Sequence, residues 1–410
     1  MTDAISASTP ADTGQRDWLL PVLAFTTFVI FFQAYMVAPT IPLLSQVMHT
    51  SEKTAGLVVP AYLIPYGIST LLYGVIADRF GVHRVMLGSL AAFCIFSFLT
   101  AAAQTVEQLI VLRIMAGLGA SGIVPLCLTL VGRLYPYEQR GRALGWLFGA
   151  MAGGMAFGSP LGAILASAIG WQGLFICVGL AGLVLWGVIL RKRTFIRSTA
   201  RPMPSRIHDI LTGYKLLLAN PRGARTYLYV LLNAMFHSGV FTWLGLYLER
   251  EQHLGSVEIG LSLLGYGIPG FLLGPAIGRL ADNMGRARLI PMGLLFGSLA
   301  AFSLCFHPPV VIVPLIALVL SLGYDMTQPL FGGIVSALGG QRAGQAMGLN
   351  VFTLFVGLGL GSMAFGILIP MGFAMAFAIF AVLELLLALV SISLFSSERP
   401  AQTVRPAAQQ

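Results

Sequence analysis

Three ionisable side chains stand within long apolar runs that ought to exclude them: Arg113, Asp325 and Glu384. A charge surrounded by lipid is costly, so each is a functional candidate until a partner is named. Asp325 offers the most chemistry. A carboxyl group in a low-dielectric cavity can bind and release a proton near neutral pH, and can also hold a polar substrate. Arg113 can meet helix carbonyls, water or an anionic substrate group. Glu384 reads as a structural residue, protonated or paired to a helix, and stays the alternative coupling acid. Gln33, Asn233 and His237 are further polar groups deep in apolar sequence. Asn233 precedes His237 by about one helical turn and shares its face. These groups could line a central site; a histidine satisfied by packing is the competing reading. Phe28, Phe31, Phe32, Tyr35, Phe236, Phe241 and Trp243 flank them. A cavity lined by some of these rings would be aromatic and moderately polar, suited to a small amphipathic organic compound.

Other chemistries find no support. Gly117–Gly122 and Gly265–Gly270 both read G-x-G-x-x-G, yet neither follows a strand or opens a βαβ unit, so dinucleotide binding does not follow. No phosphate loop, metal-ligand spacing or nucleophile–base set is present. Cys94, Cys127, Cys177 and Cys305 fall in apolar runs and read as small apolar residues. The expectation is a protein that is not an enzyme and uses no metal or cofactor.

Composition names the solvent of the frame that positions these groups. The chain is 57% hydrophobic and 10% charged, with a mean hydropathy of +0.85. A soluble domain carries about 25% charged residues. Runs of roughly 20 apolar residues, long enough to cross a ~30 Å hydrocarbon core, follow one another almost without pause. They predict an all-α integral membrane protein with twelve helices near 18–44, 55–77, 84–104, 106–131, 143–168, 171–190, 225–249, 258–281, 288–307, 309–337, 344–369 and 372–395. No stretch alternates with period two between turns, which argues against a barrel.

Placing alternate loops on opposite sides gathers the basic residues. Of the 24 Lys and Arg, only Lys53 and Arg250 fall on one side and Arg113 falls within a helix; the rest share the other side. Basic loops are retained in the cytoplasm, so both termini are expected there. The divisions follow: a tail at 1–17, a bundle at 18–190, a linker at 191–224, a second bundle at 225–395 and a tail at 396–410. The N-terminus lacks the basic run and cleavage site of a signal peptide and is expected to stay uncleaved. The net charge of +9 is spread along one membrane face without an aromatic-interleaved patch, so no nucleic acid is expected. The basic start of the linker suits anionic lipid heads, and 207–218 could form an amphipathic surface helix. A solvated linker held inside by its charge is the alternative.

The chain is built twice. Gly74-Val-Ile-Ala-Asp78-Arg79-Phe-Gly81-Val-His-Arg84 recurs as Gly278-Arg-Leu-Ala-Asp282-Asn-Met-Gly285-Arg-Ala-Arg288, a shift of 204 residues. At that shift Tyr62 meets Tyr266, Ile64-Pro65 meets Ile268-Pro269, Pro125 meets Pro329 and Gln33 meets His237. General apolar likeness does not explain matched Tyr, Pro and Asp. Many membrane transporters are built from such half-chain repeats. The halves also differ: Arg79 becomes Asn283, and Ser121 becomes Asp325. Arg113 pairs with Ala317, which leaves Asp325 about 12 Å deeper in its helix at 1.5 Å per residue. A direct Arg113–Asp325 salt bridge is therefore not expected.

The first hinge resembles the signature between helices 2 and 3 of the major facilitator superfamily, and the second hinge resembles its counterpart between helices 8 and 9. Leu109-x-x-x-Arg113-x-x-x-Gly117 resembles that family's helix-4 motif. Gly145, Gly154, Gly158, Pro160 and Gly162 resemble the helix-5 motif of its drug:proton antiporters. Val82 and His83 stand where the family usually places basic residues, and Ser159 interrupts the helix-5 pattern. The resemblance implies two pseudo-symmetric six-helix bundles, multi-pass in the cytoplasmic membrane, that rock about a central site. It implies that Asp78 locks the bundles in the outward-facing state, with Gly74, Arg79, Gly81, Arg84, Gly278, Asp282, Gly285 and Arg288 completing the gating set. The alternative is that Asp78 and Asp282 cap turns. It implies that helices 4 and 10 line the cavity while helix 12 lies outside, which separates Asp325 from Glu384. The glycine-rich side of helix 5 lets helices slide, or is plain packing. The function expected is a secondary transporter driven by the proton gradient, an efflux antiporter of the drug-resistance type. Proton-coupled uptake is the alternative, and a receptor or enzyme that has lost transport is the third reading. Its partners would be a small-molecule substrate, protons and the lipid bilayer, and it would act as a monomer.

Overall fold

A computed structural model describes residues 10–135, 137–199 and 207–398. Within the helices some side chains lie outside the described ones, among them those at 75, 78, 133, 137–142, 278, 279 and 281–283. Among the described residues there is no strand. The first half runs through α1 (Pro10–Tyr35), α2 (Ile41–Val47), α3 (Glu52–Gly56), α4 (Pro60–Phe80), α5 (Val82–Ala101), α6 (Val106–Ala120), α7 (Ile123–Leu134) and α8 (Tyr137–Arg191). Two short helices follow, α9 (Arg193–Thr199) and α10 (Ile207–Ala219), the latter on the amphipathic stretch of the linker. The second half runs through α11 (Pro221–Gln252), α12 (Ser256–Leu263), α13 (Ile268–Met284), α14 (Arg286–Leu304), α15 (Val313–Gly339), α16 (Ala343–Leu368) and α17 (Phe373–Leu394).

Ten segments among the described residues are long and apolar enough to cross a membrane, against twelve expected. Two features account for the difference. Ala143–Arg191 is counted as one segment of 49 residues, about 74 Å at 1.5 Å per residue and more than twice a bilayer core. It breaks at Gly170 (φ 74, ψ 163), where a turn between two passes is expected. The pass expected near 258–281 is divided between α12, with 8 residues, and α13, with 17, so neither piece reaches the length of a crossing.

Local chemistry sets the boundaries. Thr105 accepts from the Gln108 amide to open α6, and Asn220 accepts from the amides of Arg222 and Gly223 to open α11. Both satisfy N–H groups that a helix start leaves free. At the hinges, Gly81 (φ 89) ends α4 and Gly285 (φ 80) precedes α14. Those backbone angles penalise any side chain, which explains why the matched position is glycine in both halves. Other passes are interrupted midway, at Leu57–Val59 between α3 and α4, at Ser121–Gly122 between α6 and α7, and at Leu264–Gly267 between α12 and α13. Irregular backbone survives at membrane depth only where protein or a cavity covers it.

The two halves meet along a seam of α4 against α16 and of α8 against α12 and α13. At the end away from the hinges, Arg250 pairs with Glu52 and Gln46 donates to Glu249 at 3.2 Å. There the Trp243 ring fills a slot between Gly56 and Gly366, and its N–H donates to the Ser362 carbonyl at 2.8 Å. Beyond that closure a cavity of about 610 Å³ is lined by Ser45, Glu52, Lys53, Arg250, Gly366 and Phe373, among others. Midway, Tyr66 and Phe355 stack across the seam with centroids 4.2 Å apart. Nearer the hinges, Gly74, Gly145, Gly149 and Gly344 face open space. The seam is shut at its far end.

Candidate functional site

Asp325 lies midway along α15 and is partly exposed. Ser321, one turn earlier, donates its hydroxyl to the Asp325 carboxylate at 2.8 Å. The same Ser321 oxygen accepts from the Gly267 amide at 2.8 Å, at the break between α12 and α13. The Gly270 backbone also lies against the carboxylate: a Cβ on Gly270 would lie 2.5 Å from its Oδ1. The acid therefore rests on the first turn of α13, where free N–H groups and the helix dipole favour negative charge. Tyr35 of α1, Tyr266 at the break and Tyr324 of α15 lie within electrostatic reach of it. Phe241 stacks on Tyr266 with centroids 3.8 Å apart and sits 6.2 Å from the Tyr35 ring. A carboxylate and four aromatic rings from both halves thus meet at mid-membrane.

Arg113 is fully buried in α6. Its Nε donates to the Val58 carbonyl at 3.3 Å, in the break between α3 and α4. Its charge lies 4.2 Å from the centroid of the Tyr62 ring and 5.8 Å from that of Phe175, a cation–π arrangement. Of the partners open to it, the structure supplies a helix carbonyl, and both terminal guanidinium nitrogens are left without a hydrogen-bond partner. The repeat explains the layout. Matched tyrosines, Tyr62 and Tyr266, stand beside the charged residue of their own halves, Arg113 in one and Asp325 in the other.

The other polar candidates turn inward. Gln33 donates to Ser97 at 2.8 Å, tying α1 to α5. Asn233 donates to Thr327 at 2.8 Å, tying α11 to α15. His237 packs edge-on against Phe236 and Tyr324, each with centroids 5.0 Å away. All three are fully buried, each inside its own half, and only His237 reaches the Asp325 cluster, through Tyr324. Glu384 is fully buried on α17 with neither oxygen bonded, away from that cluster.

The helix-5 residues divide by face. Gly154 and Gly158 lie against α1, where a Cβ would come within 2.7 Å of the Phe28 carbonyl and 2.8 Å of the Phe32 carbonyl; Gly162 presses on Met36 in the same way. The opposite face, at Ala156, Pro160 and Ile164, meets Gly267 and Gly260 of the other half. Gly145 touches nothing within 4 Å. At the hinges, Arg79, Arg84 and Arg288 are exposed, while the side chains of Asp78 and Asp282, and Gly278, lie outside the described residues.

Ser321, Gly267, Gly270, Tyr266 and Tyr324 belong to the site and do not emerge from single residues read in isolation. Two features of the sequence could have found them. Ser321 precedes Asp325 by four residues, and it stands where the first half has Gly117. The run Gly265–Gly270 has no counterpart in the first half, where Ala61, Leu63 and Tyr66 occupy the matched places.

A repeated helical chain embedded in the membrane, with polar groups at the seam of its halves, has the build of a secondary transporter. The chain belongs to the Major Facilitator Superfamily, whose sequence profile matches residues 23–362 and again 258–410. It is 26% identical over 348 residues to the uncharacterized MFS-type transporter YceJ of Bacillus subtilis, covering 83% of this chain and 86% of that one. It is 24% identical to multidrug resistance protein 1 of the same organism, over 86% and 90% of the two chains. It is 22% identical to the quinolone resistance protein NorA of Staphylococcus aureus, over 85% and 89%. In fold it is similar to a POT family transporter crystallised with 5-aminolevulinic acid, with a TM-score of 0.75 at 14% identity over 93% and 96% of the chains. The D-xylose–proton symporter gives a TM-score of 0.71 at 15% identity over 91% and 96%.

Proposed function

We propose that this transporter exports a small amphipathic organic compound in exchange for protons, with Asp325 as the group that takes up the proton. The observation that carries this reading is the position of Asp325: a part-buried acid at mid-membrane, on the seam, near Tyr35, Tyr266 and Tyr324, with Phe241 stacked on Tyr266. The aromatic faces suit the apolar body of a substrate and the acid suits proton exchange. The drug-resistance names of two relatives support export. Arg113 serves the frame by holding the break in the second pass, and Glu384 serves packing in the last. No cofactor is needed, since the proton gradient drives the cycle, and the chain works as a monomer in the cytoplasmic membrane. The hinge end and both termini face the cytoplasm, in keeping with its basic loops. The seam, shut at the end away from the hinges, then corresponds to a state closed to the outside, and Asp78 with its hinge partners is the lock of the outward-facing state's cytoplasmic end.

The test is a panel of organic compounds added to inside-out vesicles holding a pH-sensitive dye and a proton gradient. Substrate-triggered loss of the gradient supports antiport; substrate-driven gain in the opposite sense assigns symport. Asp325→Asn is expected to abolish coupled transport while the protein still folds. Wild-type coupling in that variant removes Asp325 from its role.

A further inference from the structure

We propose that Gly265–Gly270 is a carboxylate-operated joint in the eighth membrane pass, with Ser321 as its positioning residue. Each glycine of this G-x-G-x-x-G run meets a different neighbour. Gly265 presses on the Pro314 carbonyl of α15, Gly267 on the backbone of Ala156 in α8, and Gly270 on the Asp325 carboxylate. Gly267 also has φ +87, a conformation that excludes ordinary side chains. The run divides α12 from α13; the freed Gly267 amide bonds Ser321, and Gly270 brings the first turn of α13 against Asp325. Ser321 makes both ends of the link, accepting from Gly267 and donating to Asp325.

This arrangement suits an ionised acid. A carboxylate accepts from the Ser321 hydroxyl, and the free amides and positive end of the first turn of α13 attract it. A protonated acid loses the charge that held those donors, and one oxygen becomes a donor itself. The joint is then released, and with it the contact between Gly267 and Ala156 that closes the seam against α8. The titratable groups facing Asp325 are the phenols Tyr35 of α1, Tyr266 of the joint and Tyr324 of α15, with His237 of α11 behind Tyr324. None of the described neighbours carries a charge that would hold the acid ionised in place of the joint. The asymmetry of the repeat agrees: the second half has Ser321, Asp325 and the three glycines, and the first half has none of them at the matched positions.

The inference rests on Asp325 as the proton acceptor, and its test reads the joint rather than transport. Hydrogen–deuterium exchange of the full chain in nanodiscs, corrected for the intrinsic pH dependence of exchange, reports opening of residues 264–270. In the wild type, opening is expected to rise as pH falls. In Asp325→Asn it should be about tenfold or more faster at pH 7.5 and insensitive to pH, the size expected for losing hydrogen bonds to a charged group. Ser321→Ala removes a donor to the ionised acid, so the midpoint should move up by about one pH unit. Ser321→Thr should restore it. Exchange at 264–270 that is the same in wild type and Asp325→Asn at every pH overturns the joint, even if that variant has lost proton coupling. An unmoved midpoint in Ser321→Ala removes the role of Ser321.

Discussion

Adding one methyl group at Gly56 should open the far end of the transporter. A Cβ there would lie 2.6 Å from Cζ2 and 3.2 Å from Cζ3 of Trp243, and closer still to Cη2. Ordinary carbon contacts lie near 3.5–4.0 Å. The indole cannot step aside, because its N–H is held by the Ser362 carbonyl at 2.8 Å. On its other side a Cβ at Gly366 would already lie 2.6 Å from Cζ2. Overpacking of this kind costs about 1–3 kcal/mol. The slot exists only while the halves are shut at this end, so the cost falls on that state alone. The equilibrium should then move toward the state open at this end by about 5- to 150-fold. Spin labels at positions 50 and 251, on the rim of the cavity beyond the closure, would report this by pulsed electron resonance in a variant with the native cysteines replaced. Gly56→Ala should enlarge the long-distance population, and Trp243→Phe in that background should restore the short one. Unchanged distances in both Gly56→Ala and Gly56→Val would refute the argument that the ring and the glycine form the closure.

Further outcomes follow from other contacts. Gly158→Ala should lower thermal stability in detergent, because its Cβ would lie 2.8 Å from the Phe32 carbonyl and 3.1 Å from the Tyr35 Cβ, whereas Gly145→Ala, which meets nothing within 4 Å, should be neutral or stabilising by up to about 1 kcal/mol. Glu398, buried beyond the end of α17, accepts from Arg222 at 2.6 Å and Arg225 at 2.9 Å. Burial alone would raise its pKa, but the Arg222 hydrogen bond and the charges of Arg222, Arg225 and Arg286 outweigh it and hold the pKa below the usual carboxylate value. The group favours the folded state above its unfolded pKa, near 4.3, and loses that contribution as pH falls through the lower folded value. Glu398→Gln should therefore cost about 1–3 kcal/mol at pH 7 and lose its effect in strong acid, as followed by thermal unfolding across pH.

The frame was legible because lipid makes it so. Spanning backbone must satisfy its hydrogen bonds within each segment, so apolar runs of adequate length can only be helices. The matched hinge glycines were legible for a similar reason: Gly81 and Gly285 hold angles that few other residues tolerate. The sites were harder. Gln33 and His237 are polar residues at matched positions in two corresponding helices, yet Gln33 turns to Ser97 and His237 packs between rings. A helix presents residues on every side, and rotation about its axis depends on its neighbours.

Asp325 shows the division well. That an acid stands deep in the tenth pass, where the first half has Ser121, follows from the sequence by itself, as do the repeat, the membrane class and the basic side of the protein. These are properties of local composition and register. Its seat on the first turn of α13, the bond from Ser321 and the ring of Tyr35, Tyr266 and Tyr324 were decided only by the tertiary structure. They join residues far apart in the chain, and their meeting depends on where α12 breaks and how the two halves close. The same packing turned a glycine run with no nucleotide to bind into a cradle for a carboxylate, because only residues without a Cβ allow three other backbones and side chains so near.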